Sequence, residues 1–125
     1  LFRLLDVQLQ ARLPGVIIEN AFWPEHHNAR VTEIIERHRA EALQVWCTAP
    51  LEVTCQREME RNANGTRHPG HARPSEDLEQ YKAAIETRGY GRLEIPGETF
   101  DIDLTDFNQA DYLRLRKKIS LMLVG

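Results

Sequence analysis

A chain of 125 residues that is 42% hydrophobic and 28% charged has the composition of a soluble domain, long enough for one core and too short for two. Its net charge of −3 argues against a general polyanion binder but leaves room for a local basic patch, so a nucleic-acid partner is not expected. No run approaches the ~20 apolar residues of a membrane span and no signal-peptide pattern opens the chain, which predicts a cytoplasmic protein with no membrane partner.

Residues Leu1, Leu5, Leu9 and Leu13 recur every four positions and predict an amphipathic helix ended by Pro14-Gly15. Because Leu1 already falls inside this pattern, the chain is expected to be part of something longer. Val16-Ile17-Ile18 follows as an apolar, β-branched run and predicts a short buried strand ending at Glu19-Asn20. After Phe22-Trp23-Pro24, a helix over 25–40 carries Val31, Ile34, Ile35 and His38 on one face. Leu43 to Thr48 repeats the strand signal, which completes a strand-helix-strand unit with a crossover long enough for parallel pairing.

Pro50 suits the first turn of a third helix over 51–62, with Leu51, Cys55 and Met59 facing the core and Arg57 and Arg61 facing away. Cys47 and Cys55 are the two cysteines of the chain and are expected to be reduced core residues. Their spacing to His68 and His71 matches no usual zinc pattern, so no metal site is predicted. The stretch from Ala63 to Pro74 is rich in Gly, Pro, Asn and His and reads as either a functional lid or a disordered loop.

Beyond it, Ser75 is a candidate N-cap for a helix that buries Leu78, Tyr81 and Ile85 and ends at Gly89. Thr99 to Leu104 alternates apolar and acidic residues and predicts a third strand, more exposed than the others. A last helix starts at Thr105 or Asn108 and turns Tyr112, Leu115, Ile119 and Met122 inward. Helices alternating with short strands place the chain in the α/β class with a mostly parallel sheet, whose ligands sit beyond the carboxyl ends of the strands.

Arg57 and Arg61 share a helix face, where like charges cost an isolated helix roughly 0.2–0.5 kcal/mol. Either the neighbouring Glu52, Glu58 and Glu60 offset them, or a bound phosphate does. Arg67 and Arg73 arrive in the loop that follows. Several guanidiniums on a helix end and loop suit bidentate capture of phosphate oxygens.

Four stretches, GVIIEN, LQVWCTAP with QREMER, RHPGH and FDIDLTD, together resemble the downstream part of small P-loop kinases of the zeta-toxin and chloramphenicol-phosphotransferase type. The resemblance runs from about Pro14 to the end. It implies a three-layer α/β/α domain of the P-loop NTPase kind over residues 1–125, lacking its N-terminal strand and phosphate loop, with a lid at about 57–74. It further implies that Arg57, Arg61 and Arg67 contact nucleotide phosphates and that Thr105 and Asp106 lie near the base. Glu19 would serve Mg²⁺ water or the acceptor hydroxyl, and Asn20, Phe22, Trp23 and His68 would bind the acceptor.

No GxxxxGK[ST] segment is present, since none of the glycines is followed by Lys. ATP and Mg²⁺ are therefore expected to bind only together with the missing loop. Two functions follow as expectations. One is the downstream part of an ATP-dependent small-molecule kinase, inactive in isolation. The other is a non-catalytic binding module that receives another chain at an open sheet edge.

Overall fold

The computed structural model describes residues 1–11, 13–65, 78–87 and 89–124. The predicted lid residues Arg67, His68, His71 and Arg73, and the candidate cap Ser75, lie outside the described residues. Among the described residues the element order is α1 (Phe2–Gln10), α2 (Pro24–His38), β1 (Leu43–Thr48), α3 (Leu51–Ala63), α4 (Leu78–Glu86), β2 (Glu98–Asp103) and α5 (Tyr112–Val124). No helix of the described residues is long and apolar enough to cross a membrane. Chain contacts divide into two compact units, the first built from Leu1–Trp46, Gly89–Ile102 and Asp111–Gly125, the second from Cys47–Arg88 and Asp103–Ala110.

β1 and β2 form a two-stranded sheet. Glu98 N donates to Ala42 O at 3.0 Å and Leu104 N to Thr48 O at 2.7 Å. Both partners advance together along the chain, so the pairing is parallel. β1 falls where the apolar run predicts it, but its side chains are half-buried or exposed rather than buried. β2 keeps the predicted alternation and reverses the predicted exposure: Phe100 and Ile102 are 6% and 3% exposed. Acidic residues on its outer face lower the mean hydropathy of the strand without touching the inner face.

The largest departure is at Val16–Ile18, which forms no strand. Ile17 is 92% exposed. β-branched residues favour a strand only where a neighbouring strand takes up the backbone groups, and no described strand pairs here. The predicted strand-helix-strand unit around α2 is accordingly replaced by the parallel pair β1–β2, whose connection carries α3 and α4.

In the first unit, α2 begins at Pro24, with Glu25 in its first turn. The backbone N–H of Trp23 donates to His27 Nδ1 at 2.9 Å, so a histidine supplies the acceptor that caps the entering chain. At the other end Arg39 takes a left-handed conformation (φ 50°), while Ala40 N donates back to Ile35 O at 3.0 Å. That closes the helix as a glycine would, with Arg in the glycine's place. Val31 and Ile34 are buried from α2, and Leu5 from α1. The helix α1 stops at Gln10, short of the predicted end at Pro14, so Leu13 lies beyond it and Leu1 is only its cap, and both are about half exposed. Gln44 on β1 donates from Nε2 to Leu93 O (3.0 Å) and accepts Leu93 N at Oε1 (2.7 Å). Its side-chain amide thus pairs with a backbone as a strand residue would, and Leu93 is buried beneath it.

α1 is tied to the end of α2 by Asp6, whose carboxylate lies 2.6 Å from His38 Nε2 and 3.2 Å from Arg37. His38, on the apolar face predicted for this helix, is thus a boundary residue whose ring nitrogen is satisfied by Asp6. The His38 bond, then the Arg37 charge, hold the Asp6 carboxyl below its ordinary value of 3.8. A lowered folded-state pKa means that stability from this contact is present above the unfolded value and is lost as pH falls through the folded one. Asp6→Asn is therefore expected to melt lower than the parent chain at neutral pH. The gap should close as the buffer is taken below about pH 3.8, the ordinary value, and parallel melting curves across that range would refute the contact's contribution.

The last helix starts later than expected, at Tyr112, which is 47% exposed, while Leu115, Ile119 and Met122 are half-buried. In the second unit, Cys55 is fully buried and Cys47 is exposed, both as free thiols; burial raises the Cys55 thiol above its usual range. α3 buries Glu58 (5% exposed) and leaves Met59 37% exposed. Both positions lie one turn beyond Cys55, and the structure selects the carboxylate, which Arg61 meets at 3.0 Å.

Candidate functional site

Residues singled out in the sequence fall into both units, and each group is described by itself. In the second unit Arg57 projects from α3, and its guanidinium donates to Leu104 O at 2.7 Å and to Thr105 O at 2.9 Å. The same group lies 4.1 Å over the ring of Phe107. Arg57 is thus fastened to the chain just beyond β2.

That loop is also ordered from within. Asp103 Oδ1 accepts from Thr105 Oγ1 (2.5 Å) and from Thr105 N (2.8 Å). These two bonds hold the Asp103 carboxyl below its ordinary value. Asp106 repeats the device: its Oδ1 accepts Asn108 N at 2.9 Å, and its carbonyl accepts Gln109 N at 3.0 Å. Side chains of Asp commonly bond their own backbone two residues on, which favours turns over helix here. Thr105 and Asp106 are both solvent-exposed at the carboxyl end of β2.

Arg61 is differently placed. One of its N–H groups is given to Glu58 (3.0 Å) and Nε reaches Arg57 O at 3.4 Å, while the side chain stays 62% exposed. The question left open by the sequence, whether acidic neighbours or a ligand offset the Arg pair, is answered in part by this contact and by the carbonyls that hold Arg57. Glu60 is engaged instead by Gln56 at 3.0 Å.

The other group lies in the first unit. Glu19 and Asn20 are exposed and follow an open apolar groove of about 410 Å³ lined by Leu1, Leu4, Leu5, Leu13 and the chain from Gly15 to Glu19. Phe22 is half-buried, edge-on to His27 at 5.8 Å. Trp23, 40% exposed, stacks on Tyr90 at 5.8 Å and leans on His26 at 5.4 Å. Gly91 N donates to Phe22 O at 3.1 Å, which brings Tyr90 alongside.

Sequence reasoning did not single out Tyr90, Phe107 or Asp103. Asp103-x-Thr105 and Asp106-x-Asn108 carry a readable turn signal, whereas the Trp23–Tyr90 stack joins residues far apart in sequence and leaves none. Among the described residues, no group of three His, Cys, Asp or Glu side chains is arranged to hold a metal ion.

No protein family matches the chain, and no curated protein does. Among solved structures, the fold is similar to that of a proposed kinase from Chloroflexus aurantiacus J-10-fl, with a TM-score of 0.74 at 23% identity. The likeness covers 98% of this chain and 62% of that one, so the chain spans less than two thirds of the neighbour's length. At this identity it establishes a kinase-like α/β fold.

Proposed function

We propose that this chain is the downstream part of an ATP-dependent phosphotransferase acting on a small hydroxyl-bearing acceptor in the cytoplasm, and that it is inactive by itself. The observation that carries this reading is the likeness of nearly the whole chain to the fold of a proposed kinase. Phosphoryl transfer relies mainly on positioning and on stabilising charge. In this reading Arg61, with Arg67, would neutralise charge on the nucleotide phosphates, with Arg57 beside them, and Thr105 and Asp106 would border the base. Glu19 would hold Mg²⁺ water or take the acceptor's proton, while Asn20, Phe22, Trp23 and His68 would line the acceptor site.

The residues of this chain do not by themselves fit Mg²⁺-ATP. The sequence has no GxxxxGK[ST] loop to cradle the phosphates, and the described residues bring no metal-ligating group together. A P-loop NTPase-like three-layer domain completed by such a loop is part of the proposal.

A second reading, a non-catalytic module that receives another chain, draws on a different observation. Ile17 is almost fully exposed where it lines the apolar groove, and an exposed β-branched apolar segment outside the sheet can take a partner strand. Calorimetric titration with Mg²⁺-ATP separates the two, using this chain and a form extended upstream to include any GxxxxGK[ST] segment its gene encodes. Binding by the extended form alone supports the kinase reading. Binding by neither sinks it in favour of the module, and binding by the short chain contradicts the proposed need for the loop.

A further inference from the structure

We infer that Arg57 is a positioning residue: it locks the loop that leaves β2, and it acts on the nucleotide through that loop. The inference rests on the kinase reading only for what the lock serves.

A guanidinium aimed at phosphate keeps its planar N–H fork free for oxygen anions. Arg57 has turned that fork onto two successive main-chain carbonyls, Leu104 O and Thr105 O. Its flat face covers Phe107 two residues further on. One side chain from α3 therefore grips consecutive points of a loop some forty-seven residues away in sequence. A charged donor on a carbonyl is worth more than a neutral one, and a planar donor holding two carbonyls fixes orientation as well as distance. Residues Thr105 and Asp106 inherit their placement from this grip.

The Asx turns of Asp103 and Asp106 are local and fix only the loop's own shape. Arg57 is what joins that shape to α3. Lysine cannot substitute, because an ammonium on a flexible stem neither spans two carbonyls in a plane nor stacks on the ring.

The loop's own amides report on the lock. Leu104 N, Thr105 N, Asn108 N and Gln109 N are all bonded to partners other than Arg57. Amide exchange followed by NMR on the 125-residue chain should show these four exchanging about tenfold faster or more in Arg57→Ala, with Arg57→Lys close to it. Amides at the two ends of α3, Thr54 in its first turn and Asn64 at its C-cap, should keep their protection, which excludes loss of the helix as the cause. Unchanged protection at the four loop amides would overturn the inference, because the Asx turns would then hold the loop alone.

Kinetics on the extended form test the role in the reaction. Arg57→Lys should raise the nucleotide KM about tenfold while kcat stays within about twofold, the pattern of an interaction equal in ground and transition states. A fall in kcat with KM unchanged would place Arg57 on the reacting phosphates and refute the positioning role. Absence of any transferase activity in the extended parent form would count against the kinase reading, and exchange would then decide the lock alone.

Discussion

Gly97→Ala is expected to cost this protein about 3 kcal/mol or more, a large share of the roughly 5–15 kcal/mol by which a domain is stable. Gly97 has φ 117°, a conformation that L side chains rarely adopt. An added Cβ would stand 2.3 Å from Ala42 O and 3.0 Å from Ala42 C. That carbonyl is the one that accepts Glu98 N at the start of the parallel ladder. Relief of the clash therefore means moving the backbone that opens the pairing of β1 with β2, not swinging a side chain aside. Gly89 supplies the control. Its φ is 64°, yet a Cβ there meets nothing within 4 Å, so Gly89→Ala should cost only about 1–2 kcal/mol of left-handed strain. Urea unfolding of both variants separates strain from clash. Equal losses would mean that Ala42 yields freely and that the close approach contributes nothing.

The same corner shows what could be read from the residues alone. β1 was legible to its ends because a short, mostly apolar run between Ala42 and Pro50 has one simple interpretation. β2 was legible in period and misjudged in burial, since periodicity gives the face that is apolar but not how well that face is covered. Val16–Ile18 failed for a different reason. A strand is a property of a pair, and the sequence signal at Ile17 speaks for one member only. On α3 the choice between Glu58 and Met59 turned on whether a cation lay in reach of a buried carboxylate, and Arg61 at i+3 was the available clue. The site was less legible than the fold. Arginine as a donor to something at the strand ends was foreseeable, whereas Arg57 gripping carbonyls near Phe107 depends on an approach between α3 and the loop after β2 that no local pattern encodes.

Glu58 also changes how the proposed phosphate role of Arg61 has to be tested. Removing Arg61 takes a partner from a carboxylate that is 5% exposed, and a buried acceptor left short of a donor costs about 1–3 kcal/mol, more when charged. Arg61→Ala alone will therefore lose stability whatever Arg61 does for the reaction. The informative variant is Arg61→Ala combined with Glu58→Gln, in which the charge that needed Arg61 is gone. Its melting temperature should recover most of the loss seen in Arg61→Ala. Its rate of phosphoryl transfer, measured on the extended form, should not recover, and should stay about 10²–10³-fold below the parent, the scale of losing one donor to developing charge. Glu58→Gln by itself should be active, because the Arg61 side chain is 62% exposed and its guanidinium remains in place. If rate and stability return together in the double variant, Arg61 serves α3 through Glu58 and the phosphate contact must be sought in other residues.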